Sequence, residues 1–331
     1  MVLVINKTDI FYICIDKIYG MNLQQLEYII AVEEKKHFSR AAEKCYVTQA
    51  TLSMMIQKLE DELKTKIFDR SKQPVKPTDI GIKIIAQAKR IIAETRLLKE
   101  IINEEKDNVT GDFRIGIIPT LAPYLLPLFL KDFTVKHPTI KLIISELTTQ
   151  HITAKLKNNE LDAGILATPL NDTYISEHKL FNEKYFLYVN NTEKGFNKQY
   201  VLPQNIDITK LWLLEEGHCM RSQILNFCEL KKQQQTTDNI SYEAGSIETL
   251  KNIVDNNFGI TILPELATLT LTENQKNRLK YFKPPTPVRE ISIVTHQNYL
   301  KLKLILLLQQ SILACIPEEM KLNKKMVVVS I

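Results

Sequence analysis

Three observations predict an α/β protein with an all-α N-terminal part. Apolar residues from Leu23 to Phe68 recur at helical spacing. A long helical pattern then runs to about Lys106, and beyond Asn108-Val109-Thr110-Gly111 short β-rich runs alternate with helical ones. With 331 residues, 44% hydrophobic and 24% charged, the chain can bury ordinary cores in two or three units.

Residues 1–20 carry only a short apolar patch around Phe11-Tyr12-Ile13-Cys14-Ile15, interrupted by Lys7, Asp9, Asp16 and Lys17, and lack secretory-leader order. They read as an extension, with Met21 as the natural start. Leu26, Ile29 and Ile30 then form one helical stripe, and Leu52, Ile56, Leu59 and Leu63 another. Between them, Phe38 to Cys45 is a short helix whose Ala41 and Ala42 permit close packing. Tyr46-Val47 turn the chain, and Thr48 can cap the helix that follows. This is helix-turn-helix order. Asp69 to Pro77, with two prolines and several cations, reads as a wing.

Thr78 offers a cap for the long helix, along which Ile84, Ala88, Ile91, Thr95, Leu98 and Ile102 recur at steps of four and three. Such a seam pairs helices, so Ile84, Ala88, Ile91, Leu98 and Ile102 are expected to carry dimerisation. The competing reading is a helix lying on its own domain.

In the α/β part, strands are expected at Phe113–Ile118, Ile140–Leu147, Ala163–Ala167, Tyr185–Val189, Gly259–Leu263 and Val288–Thr295. Helices are expected at Tyr124–Val135, His151–Asn158, Arg221–Cys228, Ile247–Asn256 and Leu300–Cys315. The last is strongly apolar but shorter than about 18 residues, so it reads as a packed helix and not a membrane span.

The formal charge of +5 is mild, but between Lys35 and Lys76 ten Lys or Arg face five Asp or Glu. The excess sits where DNA phosphates would. On the second helix of the motif, Gln49, Thr51, Ser53 and Gln57 can read base edges while Lys58, Arg40, Lys64 or Lys72 meet phosphates, and Thr48 at the helix start joins the DNA-binding set. A three-helix bundle with a solvated polar face is the blander alternative.

Five cysteines are an odd, sparse set, unlike the even framework of a small secreted domain, and suit a reducing cytoplasm. Cys45 and Cys315 fall on apolar helical faces and read as core. Cys219 and Cys228 differ, because Cys219 lies just before an expected helix with Arg221 close by, both of which favour a thiolate, while Glu215 and Glu216 oppose it. If the run between the two cysteines is helical, their Cα atoms stand about 13 Å apart on opposite faces. A disulfide tolerates no more than about 7 Å, so bonding them would unwind that helix. Thiolate attack on peroxide gives a sulfenic acid, with which a second thiol condenses. Cys228 as a small core hydrophobe and His218 as a loop residue remain open. A zinc site from His218, Cys219 and Cys228 lacks paired-ligand spacing. No Gly-rich phosphate loop and no Ser/His/Asp order marks an enzyme.

The N-terminal segment resembles that of LysR-type transcriptional regulators. The resemblance lies in Leu23-Gln24-Gln25-Leu26-Glu27-Tyr28, His37-Phe38-Ser39-Arg40-Ala41-Ala42, Val47-Thr48-Gln49-Ala50-Thr51-Leu52-Ser53, Ile56-Gln57-Lys58-Leu59-Glu60 and Phe68-Asp69-Arg70. It departs at Ala50, where the family usually has proline. Within the family, Gly217-His218-Cys219 with Arg221, Gln223 and Phe227-Cys228 resembles the members that sense hydrogen peroxide, as do Ile117 to Pro127 and Gly245 to Leu250.

The resemblance implies a winged helix-turn-helix domain at 21–78 and a linker helix at 79–107. It also implies a two-lobed effector domain of the periplasmic-binding-protein type, with lobe I at 111–182 and 287–317 and lobe II at 183–286; residues 318–331, outside the resemblance, read as a tail. It further implies Cys219 as the peroxide-reactive sulfur, Cys228 as its resolving partner, and Thr120, Thr149, His218 and Arg221 around the peroxide. Ser222 stands where the family has an acidic residue. The implied partners are promoter DNA, hydrogen peroxide as signal, thiol reductants, RNA polymerase and further copies of the chain in a homotetramer, with no membrane and no cofactor. Two competitors remain: a LysR-type regulator that binds a metabolite in its effector cleft, and a thiol peroxidase.

Overall fold

In the computed structural model, the described residues are 20–71, 73–104, 110–190, 199–228, 244–256, 259–321 and 327–329. The chain divides into two units, Met1–Ile102 and Asn103–Ile331.

In the first unit, α1 (Leu23–Lys35), α2 (Phe38–Lys44) and α3 (Gln49–Glu62) enclose a core of Leu26, Ile29, Val32, Ala41, Ala42, Leu52, Ile56 and Leu59. The caps follow from local chemistry. Asn22 and Gln25 form a reciprocal box that starts α1, and Thr48 accepts from Thr51 N to start α3. A two-stranded ribbon, β1 (Phe68–Asp69) against β2 (Lys76–Pro77), makes the wing. It is fastened by Glu60, a carboxylate only 1% exposed that accepts from Ile67 N at 2.8 Å and Phe68 N at 3.2 Å.

The long helix α4 (Asp79–Glu104) begins at Thr78, whose Oγ1 accepts from Gly81 N at 2.9 Å. A Cβ at Gly81 would meet Ile67 O at 2.1 Å, so only glycine allows α4 to leave this close to the wing. Along α4, Ile85, Ala88 and Ile92 are buried in the unit's own core, while Ile84 and Ile91 are half-buried beside it. Ala88, one of the residues expected to pair helices, packs into the core of its own domain, so α4 has one apolar face turned inward and a second beside it. The side chains of Leu98 and Ile102 lie outside the described residues.

The second unit is built on β3 (Gly111–Ile117), α5 (Ala122–Lys136), β4 (Ile140–Glu146), α6 (Thr149–Lys157) and β5 (Ala163–Thr168), with β3 parallel to both β4 and β5. Next comes β6 (Ile175–Val189), then β7 (Tyr200–Val201), β8 (Leu211–Trp212), α7 (Cys219–Phe227), α8 (Ile247–Asp255) and β9 (Ile260–Pro264). The short α9 (Glu265–Thr268) and α10 (Glu273–Lys276) precede β10 (Leu279–Phe282), β11 (Pro287–His296), α11 (Leu302–Cys315) and β12 (Val327–Val328).

The main path of the sheet runs β4-β3-β5-β11-β6-β10-β7. β6 is the hinge of the design: residues 175–184 run along β11 with Leu180 bulged out of the pairing, and its last five residues pair with β9. One lobe therefore gathers on β3, β4, β5 and β11, the other on β8, β9 and β10; the chain crosses first within β6 and returns between β10 and β11. Among the described residues, no helix is long and apolar enough to cross a membrane.

Candidate functional site

Gly217, at φ +97, turns the chain left-handed and delivers His218 to the N-cap and Cys219 to the first turn of α7. Cys228 caps the same helix at its other end. Both cysteines are buried free thiols. Nine residues of helix hold them about 13 Å apart along the axis, beyond the reach of a disulfide.

Around the Cys219 sulfur the two lobes converge. Arg289 of β11 is fully buried; its Nε donates to Glu183 Oε2 of β6 at 2.7 Å, and its terminal nitrogens donate to Thr120 Oγ1 at 3.0 Å and Thr120 O at 3.3 Å. Thr149, the first residue of α6, aims a buried hydroxyl beside Cys219; this oxygen forms no hydrogen bond of normal geometry among the described residues, yet it lies close enough to favour a thiolate as donor. Tyr185 is buried on the other side, with its hydroxyl donating to Gln223 Oε1 at 2.8 Å and its ring stacked on Phe227 at 5.4 Å.

Burial pushes the Cys219 thiol above its ordinary value, opposed by the Arg289 charge, the Thr149 hydroxyl and the backbone N–H of Met220. Desolvation is the largest influence on the sulfur, the first-turn N–H groups act toward the anion as expected of a helix start, and the cation acting on it is Arg289. Arg221 instead donates to Leu214 O at 2.7 Å, which ties down the loop entering α7. Burial alone pushes the Cys228 thiol up to about 12, so the resting thiol there is protonated. Glu183 is pushed up by burial, with Arg289 opposing.

Thr120, Thr149 and Cys219 are thus brought together; His218, the residue before Cys219, is buried with Nε2 3.6 Å from Glu215 Oε1. The sequence reading missed Arg289 and Glu183. The available signal was an arginine inside the apolar run of β11; Glu183 sits in a polar stretch that showed no strand alternation. Among the described residues, no group of three His, Cys, Asp or Glu is placed to hold a metal ion.

Removing the orphaned hydroxyl is a clean probe. Thr149→Val is expected to leave stability unchanged or slightly higher, because it deletes a polar atom without a partner. It should slow sulfenic acid formation about tenfold at neutral pH, the weight of one hydrogen bond to a charged sulfur. The raised thiol sets the sign of the pH dependence: in the parent chain the rate should climb from neutral through alkaline pH as thiolate accumulates, and in the variant the whole profile should move further up. A pH series of stopped-flow oxidation checks this.

In the first unit, Arg40, Thr48, Gln49 and Lys58 are exposed, and Thr51, Ser53 and Gln57 are half-buried along α3. Several are already engaged. Ser39 donates to Gln49 Oε1 at 2.6 Å, Gln57 donates to Asp61 at 2.7 Å, and Arg70 donates to Ser53 at 3.2 Å while lying 5.0 Å over the Phe38 ring. Arg70, absent from the sequence-derived set, couples the wing to α3. Tyr46 (96% exposed) and Met54 (64% exposed) also stand out from the motif. Lys72 lies outside the described residues.

A helix-turn-helix unit with a fastened wing, followed by a two-lobed α/β unit with a buried polar site, defines a DNA-binding regulator that responds to a signal. Residues 23–82 match the bacterial regulatory helix-turn-helix proteins of the lysR family, and residues 106–313 match the LysR substrate binding domain. The chain belongs to the LysR family. It is 37% identical over 278 residues to a hydrogen peroxide-inducible genes activator of Haemophilus influenzae, covering 83% of this chain and 90% of that one. It is 34% identical over 276 residues to the DNA-binding transcriptional dual regulator OxyR of Escherichia coli, covering 83% and 89%. A full-length OxyR variant from Pseudomonas aeruginosa superposes with a TM-score of 0.74 at 30% identity, covering 90% of this chain and 99% of that one.

Proposed function

We propose that this chain is a cytoplasmic transcription regulator that senses hydrogen peroxide through a reversible Cys219–Cys228 disulfide. The observation that carries the reading is the placement of two buried thiols at opposite ends of one helix, the first facing Arg289 and the Thr149 hydroxyl. The peroxide pocket is then formed by Thr120, Thr149 and His218, with Arg221 shaping the loop. The names of the relatives, peroxide-inducible activators among them, support the same signal.

The Cys219 thiolate attacks one peroxide oxygen and the O–O bond breaks. This leaves a sulfenic acid on Cys219 and a hydroxide that takes up a proton to become water. The Cys228 thiol then displaces the sulfenic hydroxyl as a second water and closes the S–S bond. Two electrons pass from the thiols to one peroxide. The chain acts once per switching cycle, until a cellular dithiol returns two electrons and two protons. This makes it a sensor and not a turnover enzyme.

α4 pairs the DNA-binding units, effector units pair in turn to give a homotetramer, and unwinding of α7 alters the spacing between DNA-binding pairs. Symmetric pairs convert such spacing into a choice among half-site arrangements, and so into altered contact with RNA polymerase at the promoter. The test is promoter footprinting of reduced and peroxide-treated protein, with the disulfide followed by mass. A two-hydrogen loss mapped to Cys219 and Cys228 together with a changed protected length is expected. Identical footprints from fully disulfide-bonded and reduced protein would sink the reading.

A further inference from the structure

The end of the chain is built into the redox helix. β11 pairs with β6 on one side from Val288 to His296, but on its other side β5 reaches only as far as Glu290. Pro287 and Val288 would be left with an open flank, and β12 fills it in parallel, Pro287 opposite Val327 and Val288 opposite Val328, with Val329 N donating to Val288 O at 2.8 Å. Met320 upstream is buried and Lys321 bridges to Phe181, so the segment is anchored before the strand as well.

The Val329 carbonyl does not pair with the sheet. It accepts from Gln223 Nε2 at 3.0 Å, and Gln223 is fully buried in the middle of α7, between the two cysteines. The other end of that amide is held by Tyr185. A glutamine with both its oxygen and its nitrogen engaged in a buried site is fixed in position, and a shift of its backbone by one helical turn breaks both bonds.

We propose that the C-terminal strand is a latch on the redox helix. Through the Gln223 to Val329 hydrogen bond it favours the helical, reduced form of α7, opposes closure of the disulfide, and loses its pairing with β11 when the disulfide forms. The inference rests on the redox reading above. Residues 219 to 228 cannot bring their Cα atoms from about 13 Å to within about 7 Å while Gln223 stays in place. If Gln223 left and the strand stayed, the Val329 carbonyl would be buried without a partner, a cost that strand release removes.

Hydrogen exchange by mass spectrometry on the full chain, reduced and peroxide-treated, tests the latch. The amide of Val329 is expected to be protected in the reduced form and to lose protection in the disulfide form. Two variants then test the energetics: Gln223→Met, which keeps the shape but not the bonds, and a chain ending at Met326. Both should shift the equilibrium against dithiothreitol about tenfold toward the disulfide, the weight of one buried hydrogen bond. The rate of sulfenic acid formation in the shortened chain should stay within about twofold of the parent, whereas general disruption of the fold would change that rate too. A Val329 amide equally protected in both redox forms, or both variants matching the parent equilibrium, would overturn the latch alone. Absence of any Cys219–Cys228 disulfide in the peroxide-treated parent would overturn the latch and the redox reading together.

Discussion

Cys219→Ser is expected to abolish the peroxide response while leaving promoter binding at the reduced level. The substitution exchanges one buried atom for a slightly smaller one at the first turn of α7, where the Thr149 hydroxyl and the Met220 amide can still be accommodated, so the helix and its neighbours should persist. A serine hydroxyl cannot be oxidised to a sulfenic acid, so nothing is formed for Cys228 to displace. Treated and untreated variant should give the same footprint, the same mass and melting points within a few degrees. Cys228→Ser separates the steps. Sulfenic acid should form on Cys219 and be trapped by a dimedone-type reagent, but the lasting oxidised state should be lost. Cys45→Ser and Cys315→Ser, at half-buried positions away from α7, should respond as the parent does. A Cys219→Ser protein that still changed its footprint with peroxide would show that the sensing sulfur lies elsewhere.

The N-terminal unit was legible in the sequence because its information is local. Thr48 and Thr78 cap the helices that follow them, and the stripes Leu26/Ile29 and Leu52/Ile56/Leu59 face one core. In the α/β unit, strands with apolar runs such as Ala163–Thr168 were readable, but the first ten residues of β6 were not. That half of β6 is polar because its side chains find distant partners: Lys179 with Glu290 and Glu183 with Arg289 across the sheet, and Lys184 with Glu265 of α9. Alternation vanishes when the partner of a charge is a hundred residues away. The same physics hid half the candidate site. Cys219, Thr120 and Thr149 announced themselves by local context, but the cation that acts on the sulfur could not be chosen between Arg221 and Arg289 without the sheet register that sets Arg289 opposite Glu183. β12 was missed because Val327–Val328 is too short to show a period, and the open flank of β11 exists only once β5 ends.

Arg289→Met is expected to destabilise the second unit by about 3–5 kcal/mol, the largest single effect on the fold, because it strands the Glu183 carboxylate in a fully buried site. Thr120 also loses its two donors. Part of the loss should be recovered in Arg289→Met with Glu183→Gln, since a neutral amide keeps the Leu266 N–H contact at Glu183 without a buried charge. Denaturant melts of the four proteins in this cycle measure the coupling. The redox chemistry should not recover in parallel. Arg289 is the charge that opposes desolvation at Cys219, so both variants should titrate Cys219 higher and react more slowly with peroxide at neutral pH, whatever their stability. A double variant that regained stability and also the parent's pH profile would show that Arg289 serves the fold alone. A double variant that stays slow while folding well separates the two duties of one buried guanidinium, holding the lobes through Glu183 and Thr120 and favouring the anion on Cys219.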